Sequence, residues 1–294
     1  GIWIGGPNIF EAGVNVCAPL ISKGFSQEPV RIWTGTQINE LPKRLDDEEN
    51  WASAIAIAQG TPAIHLSGNH LGKIASATAG FRDQFYGLAP HVTEHKPEMT
   101  DVAPLITVGM IDPLRNRWGS TRFRYAGNSW LKPVVDLQSL LKENEELYEW
   151  VKDRLKPKVL LATQTKVIEV LPDPEGKLIP STPVISIECA PQDVWKIASA
   201  LSSAAMSAYA FAKVAGSALS SDTIKLSAKQ VSALPLPENE ERWEQAAHYA
   251  HQAFNSKTKD VKIIQNMSKQ ISLAYDCSDT LLEEWWSKRL PKWR

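Results

Sequence analysis

One stretch, Arg154 to Pro237, constrains the fold of this chain more than any other. It opens with RLKPKVLLATQTKVIEVLPDPEGKLIPSTPVISI and closes with SDTIKLSAKQVSALPLP. Lys158–Leu171 is rich in β-branched and aliphatic residues, PDPEG (Pro172–Gly176) carries turn chemistry, and Pro183–Ile187 reads as a second, shorter strand. The spacing predicts a β-hairpin. Strand side chains alternate, so Lys158, Gln164 and Lys166 share one face while Val159, Leu161 and Val167 share the other. The polar face suits nucleic acid, because lysine neutralises phosphate and glutamine pairs with an adenine edge. The same alternation also describes an ordinary sheet with one solvated face.

Composition narrows the class. A chain of 294 residues, 43% hydrophobic and 22% charged, can bury a real core as one large or two smaller domains. Its formal net charge of −1 provides no global basic field, so any nucleic-acid surface must be a local patch. Cys17, Cys189 and Cys277 are far apart without CxxC, which argues against a disulfide framework or a zinc site and for a reducing cytoplasm. The histidines form no HExxH pattern, and His248 and His251 lack a third ligand nearby. Ile197–Leu219 is the most apolar window, but Lys213, Gly216 and several serines make it a buried Ala/Ser-rich helix rather than a membrane span. No signal peptide is visible, and a strand-like start at Gly1 without Met reads as a piece of something longer.

Taken in order, Gly1–Ser22 reads as two short strands around GGPN, with Val14, Val16 and Ala18 facing a core, and 29–35 as another strand. Pro42–Asn50 is a charged loop in which Asp47 or Asn50 caps a helix from Trp51 to Gln59. Leu71–Tyr86 is short of turn residues except Gly72 and Gly80, and its small-residue run ATAG followed by FRDQFYG reads as a loop that lets backbone approach a neighbour closely, with Arg82, Gln84 and Tyr86 as its chemically useful tips. A packed aromatic turn is the alternative there. Leu105–Ile111 is a strand. Arg115, Arg117, Arg122 and Arg124 then fall among Trp118, Phe123 and Tyr125, with no acid between 113 and 135. Arginine favours bidentate phosphate or base contact, although charge runs also make ordinary solvated faces.

Ser139–Leu155 has the period of an amphipathic helix, and Val194–Val214 of a second one after an Asp193 cap. In 224–236, Lys225, Ser227 and Lys229 share a side if the segment is extended, although Ser-Ala-Lys-Gln equally starts a short helix. Helices over 238–254, 261–275 and 279–290 form an accessory tail whose role is packing. The predicted class is α+β: a mixed sheet and hairpin with packed helices and a helical C-terminal tail. There is no GxGxxG after a strand, no GxxxxGK[ST] and no GxSxG, and the acidic run at 46–49 reads as loop. A self-contained enzyme is poorly supported.

Five segments, in order, resemble the C-terminal part of class I, N6-adenine-specific DNA methyltransferases of restriction–modification systems. They are IFEAGVNVCAPLI (9–21), TAGFRDQFYGLAPHV (78–92), GMIDPLRNRWGSTRFRYAGNSWLKPVVD (109–136), PKVLLATQTKVIEVLPDPEG (157–176) and IKLSAKQVSALPLP (224–237). The chain has neither the family's Asn-Pro-Pro motif nor its glycine-rich donor loop. The resemblance therefore implies that 1–24 is the end of a truncated methyltransferase domain, 25–75 a connecting segment with a helix, 76–237 a DNA target-recognition domain and 238–294 the helical tail. It implies double-stranded DNA and a catalytic methyltransferase domain as partners, no membrane, and no cofactor in this chain, with S-adenosylmethionine belonging to the parent enzyme. Arg115, Arg117, Arg122 and Arg124 would hold phosphates, and Gln84, Gln164 and Lys166 would reach base edges. Arg82, Tyr86, Lys158, Lys225 and Lys229 complete the expected DNA-binding set. A rival reading is a protein-interaction module that docks a methyltransferase subunit and touches no DNA. An aromatic-lined carbohydrate binder rests on the eleven tryptophans alone.

Overall fold

The computed structural model describes residues 1–5, 16–24, 31–35, 37–40, 51–256 and 260–292. The expected Pro42–Asn50 loop with its caps, the acidic run at 46–49, Val14 and most of the GGPN turn lie outside them.

Four strands form the first sheet: β1 (Ile2–Ile4), β2 (Cys17–Pro19), β3 (Arg31–Thr34) and β4 (Gln37–Glu40), in the order β2-β1-β3-β4. β1 and β3 are parallel, and the two outer pairs are antiparallel. All three residues of β2 are exposed, so Ala18 faces solvent rather than a core. β2 is the edge strand of this sheet. α1 (Trp51–Ala58) joins this sheet to the rest. Ala54 packs with Ile2 and Ile32, while Ala56 enters the main core. Methyl-sized side chains let the helix lie close to both.

Leu71–Tyr86 does not hold the loop expected at ATAG-FRDQFYG. It contains a strand, β5 (Ala75–Ala79), followed directly by α2 (Arg82–Leu88). The close approach foreseen for its small residues is real at one point. A Cβ on Gly80 would lie 2.8 Å from Thr182 Oγ1. β6 (Val92–Glu94) and β7 (Val102–Ile106) come next, so the strand expected at 105–111 lies earlier and its second half is a 3₁₀ turn. Two small hairpins follow: β8 (Ile111–Asp112) with β9 (Arg115–Asn116), and β10 (Phe123–Tyr125) with β11 (Asn128–Trp130). β12 (Pro133–Asp136) then pairs with both β6 and β7. The long helix expected at 139–155 is two, α3 (Leu137–Glu143) and α4 (Glu145–Arg154). Asn144 interrupts it, because its side chain accepts from the Leu147 amide as a fresh N-cap.

The central sheet has the order β14-β13-β16-β5, with β13 (Lys158–Leu161), β14 (Val170–Asp173) and, after β15 (Ile179–Pro180), β16 (Ile185–Cys189). Every pair in it is antiparallel. The hairpin exists, but its reversal runs through 162–169, not through PDPEG. Gln164 takes a left-handed φ of 62° and Thr165 bridges to Ile224, which breaks the strand early. Pro172 and Asp173 end β14 instead.

No wet face survives in β13. Val159, Leu161, Val170 and Ile187 face one core, and Leu160, Ala162, Leu171 and Val184 face another. Both sides are covered, which alternation alone does not reveal. Lys158, expected on DNA, is fully buried and donates to Asp173 Oδ2 at 2.5 Å and to the Lys156 carbonyl. Burial pushes its ammonium pKa down, with Asp173 opposing that shift.

The helix expected over 194–214 is α5 (Val194–Leu201) and α6 (Ala204–Val214), broken where Ser203 accepts from the Met206 amide. α7 (Ala228–Ser232) settles the open choice at 224–236 in favour of a short helix, begun by a reciprocal Ser227–Gln230 cap. α8 (Glu240–Asn255), α9 (Val261–Ala274) and α10 (Thr280–Arg289) complete the chain. Trp243, Met267, Ile271 and Trp286 share one core with Val159 and Phe211, so the last helices pack under the central sheet. The helices accompany several small, mostly antiparallel sheets, and the fold is α+β. No helix among the described residues is long and apolar enough to cross a membrane.

Replacing Asp173 by alanine strands a buried ammonium and should lower unfolding free energy by about 3–5 kcal/mol. Replacing Lys158 and Asp173 together by methionine and leucine should recover most of that loss. Urea denaturation of both variants checks the pair.

Candidate nucleic-acid interface

In the central sheet, Leu161 is in register with Val170 and Ile185, and Ile185 with Ala79. These four residues mark one end. The chain leaves that end through 162–164 and through Gly80 into α2, and enters it through Glu169 and through Thr182–Pro183. The arginine-bearing segment is tied to the same end. Leu114 donates its amide to the Val170 carbonyl at 2.8 Å, and Ser181 to Ile106 at 2.8 Å. Lys158, Asp173 and Glu188 lie in register at the opposite end.

α2 begins with the Phe81 amide donating to Gln84 Oε1 at 2.6 Å, while Thr182 Oγ1 donates to the Phe81 carbonyl at 3.1 Å. The Gln84 carbonyl thus caps the helix, and its side chain is half-buried. Arg82 is exposed with its guanidinium 5.2 Å from the Tyr86 ring centroid. Beside α2, the β10–β11 hairpin turns through Ala126 and Gly127, both at positive φ (48° and 80°). Burial alternates along its first strand: Arg122 and Arg124 are exposed, Phe123 is half-buried and Tyr125 is buried. Tyr125 donates to the Phe85 carbonyl at 3.0 Å, joining hairpin to helix, and burial pushes its phenol up to about 12.

The expected arginines have different surroundings. Arg122 donates to the Ser129 carbonyl at 3.2 Å, and Arg124 has no carboxylate partner among the described residues. Arg117 is more engaged, 3.6 Å from Asp112 and over the Phe123 ring at 5.2 Å. Arg115 is half-buried in β9. Glu169, which the sequence did not single out, is buried beside this pair. Its carboxyl is pushed up to about 8, first by burial and then by Asp112, with Arg117 opposing.

On the flank, Gln164 donates its amide to the Ile224 carbonyl at 2.9 Å, and Lys166 pairs with Asp222 at 2.7 Å. Lys225 is exposed just beyond, and Lys229 is exposed on α7, which packs against β5. Arg289, from the far end of the chain, holds this flank. It donates to the carbonyls of Lys166 (3.1 Å) and Asp222 (2.5 Å) while lying over the rings of Phe211 (5.0 Å) and Trp285 (4.7 Å). No local pattern marks it; only the pairing of 165 with 224 brings its partners together.

The structure therefore gathers Arg82, Gln84, Tyr86, the four arginines and Gln164 at one sheet end, sets Lys166 and Lys225 beside them, and removes Lys158. Exposed guanidinium groups beside aromatic rings can hold phosphates and stack on bases. The described residues contain no group of three or more His, Cys, Asp and Glu suited to a metal ion. No family model matches the chain, and no curated protein matches it.

Because folding favours protonated Glu169, the folded chain keeps a proton that the unfolded chain has released. Stability should therefore fall as pH rises from the ordinary value of 4.5 to about 8, with a slope of up to about 1.4 kcal/mol per pH unit. Denaturation midpoints across that window should flatten in Glu169→Gln. Arg289→Ala should speed amide exchange at 164–166 while leaving α8 protected, and Arg289→Lys should not restore it, since lysine cannot reproduce the stacked fork.

Proposed function

We infer that this chain binds double-stranded DNA as the target-recognition part of an N6-adenine DNA methyltransferase of a restriction–modification system. What supports the reading is the convergence, at one end of one sheet, of α2, the Arg122/Arg124 hairpin and the Gln164 turn. Three of the five segments that carry the family resemblance, 78–92, 109–136 and 157–176, thus send residues to one place although they are well separated in sequence. In this reading Arg122 and Arg124, with Arg82 and Arg115, hold phosphates, and Gln164 reads a base edge from a turn fixed by Ile224. Arg117 acts from within the loop, which its contact with Asp112 shapes. S-adenosylmethionine and methyl transfer belong to a separate catalytic domain, and the setting is the cytoplasm.

A second reading, docking to another protein, draws on Leu20 and Ile21. They are 56% and 85% exposed at the edge of the first sheet. Such a contact is compatible with DNA binding, since it involves a different sheet.

Fluorescence anisotropy with a random-sequence duplex tests the leading reading. Affinity should fall steeply between about 50 and about 200 mM salt, and Arg124→Ala should reduce the log–log slope by about one. Selection from a randomised duplex pool should give a preferred sequence whose preference Gln164→Ala relaxes at one position. Affinity that ignores ionic strength would sink the reading.

A further inference from the structure

The 162–169 turn that presents Gln164 supplies few of its own restraints. Within it, the Ala162 amide donates to the Glu169 carbonyl at 3.0 Å and Thr165 Oγ1 to the Val167 carbonyl at 2.6 Å. Its other backbone bonds among the described residues leave the turn. The Gln164 amide donates to the Ile224 carbonyl at 2.9 Å, the Ile224 amide to the Thr165 carbonyl at 2.7 Å, and the Ile168 amide to Ser207 Oγ at 3.1 Å. Gln164 sits at φ 62°, a left-handed conformation unfavourable for a residue with a Cβ. The turn therefore keeps its shape only while distant partners hold it. Meanwhile the Gln164 carboxamide makes no hydrogen bond among the described residues, which leaves its donor and its acceptor for a base edge. An adenine edge needs both. Gln84 and Gln230 are unlike it, since each spends Oε1 as a helix cap.

Arg289 ties this turn to the segment that anchors it. Its Nε donates to the Lys166 carbonyl at 3.1 Å and its Nη2 to the Asp222 carbonyl at 2.5 Å. Lys166 follows Gln164 by two residues and Asp222 precedes Ile224 by two, so one guanidinium spans both sides of the Thr165–Ile224 bridge. The rings of Phe211 and Trp285, 5.0 and 4.7 Å away, fix its plane. Neither acceptor is a carboxylate, and the Asp222 carboxylate pairs with Lys166 at 2.7 Å instead. Two carbonyls met from one stacked plane require the arginine fork, which a lysine cannot supply. Leu282 and Trp286 bury α10 in the main core, so the end of the chain sets where the turn stands.

We propose that Arg289 is a specificity-determining positioning residue, which holds the Gln164 carboxamide in register with a base edge from the far end of the chain. The assignment rests on the DNA-binding reading. It adds that α10 belongs to the reading apparatus and is not accessory packing. Arg289 acts through the turn and not on the DNA itself, so its loss should cost discrimination between sequences more than it costs the grip on phosphate.

The test uses the 294-residue chain, the duplex that it selects from a randomised pool, and a random-sequence duplex. The quantity read is the ratio of the two affinities. Arg289→Ala should lower that ratio about ten-fold, the worth of one bidentate base contact, and at the same base position that Gln164→Ala relaxes. Arg289→Lys should lower it as far. In a Gln164→Ala background, Arg289→Ala should change the ratio no further, because both substitutions remove one interaction. Arg289→Met keeps an unbranched stem between the two rings without the fork, and it carries the same expectation should circular dichroism show the alanine variant unfolded. A ratio unchanged in the Arg289 variants, a different base position relaxed, additive losses in the double variant, or no preferred duplex for the unaltered chain overturns the assignment, while salt-sensitive binding leaves the DNA reading intact. Absence of salt-sensitive binding to either duplex removes both.

Discussion

The buried Lys158–Asp173 pair divides the central sheet into a closed end and an open one. Asp173 accepts from the Lys158 ammonium and from the amides of Lys177 and Leu178, so its carboxylate is saturated by donors from its own neighbourhood. Lys158 in turn satisfies the Lys156 carbonyl. A pair this deep gains little over well-packed apolar residues, but it is intolerant of half measures, because either charge alone would be buried without compensation. It thereby fixes the β13–β14 register and the turn after β14 at one end. The segments that carry Arg82, Arg122 and Arg124 and their neighbouring aromatic rings emerge at the other.

Small residues let the rest of the chain reach that sheet. α6 is AAMSAYAFAKV, and its serine and the one before it work as backbone partners: Ser207 Oγ accepts from the Ile168 amide, while Ser203 caps the helix. Ala204 donates its amide to Ser268 on α9, and Ser268 and Ser272 both donate to Glu283 on α10. Burial raises the Glu283 carboxyl pKa, and those two hydroxyls work against the shift. A helix of larger side chains would have kept the 162–169 turn at a distance from α6. The alanine and serine surface instead brings turn, sheet and C-terminal helices into one core, which is why the terminal helices bear on Lys166 at all.

Features governed by neighbours in sequence were legible. Helices were expected at 51–59, 238–254, 261–275 and 279–290 and stand at 51–58, 240–255, 261–274 and 280–289, and the α+β class follows from mixing them with the strand-like runs. What escaped reading depends on partners distant in sequence. The break at Gln164 is made by Ile224, the reversal near Ile168 by Ser207, and the burial of Lys158 by cores on both faces of β13. Alternation places a lysine on a face but does not say whether that face is wet. The helix breaks at Asn144 and Ser203 are a different case. Both residues are good N-caps, and their capping outweighed an apolar period that continued across them.

The candidate site shows the same division. Clustered arginines were visible as residues, but their roles separate only once partners are known. Arg117 is tied to Asp112 and Phe123, whereas Arg122 and Arg124 alternate with inward-facing aromatics and so point outward together. Phe123 and Tyr125 stand among the arginines in sequence, yet Tyr125 is structural, its hydroxyl holding α2 to the hairpin. Arg289 had no signal of its own, because its function arises from Phe211, Trp285, Lys166 and Asp222 meeting at one point. Turns at the open end can therefore change their exposed side chains without disturbing the sheet, since the contacts that position them are mostly to backbone carbonyls and amides. A surface that must suit different sequences of bases needs that separation between what holds a loop and what the loop presents.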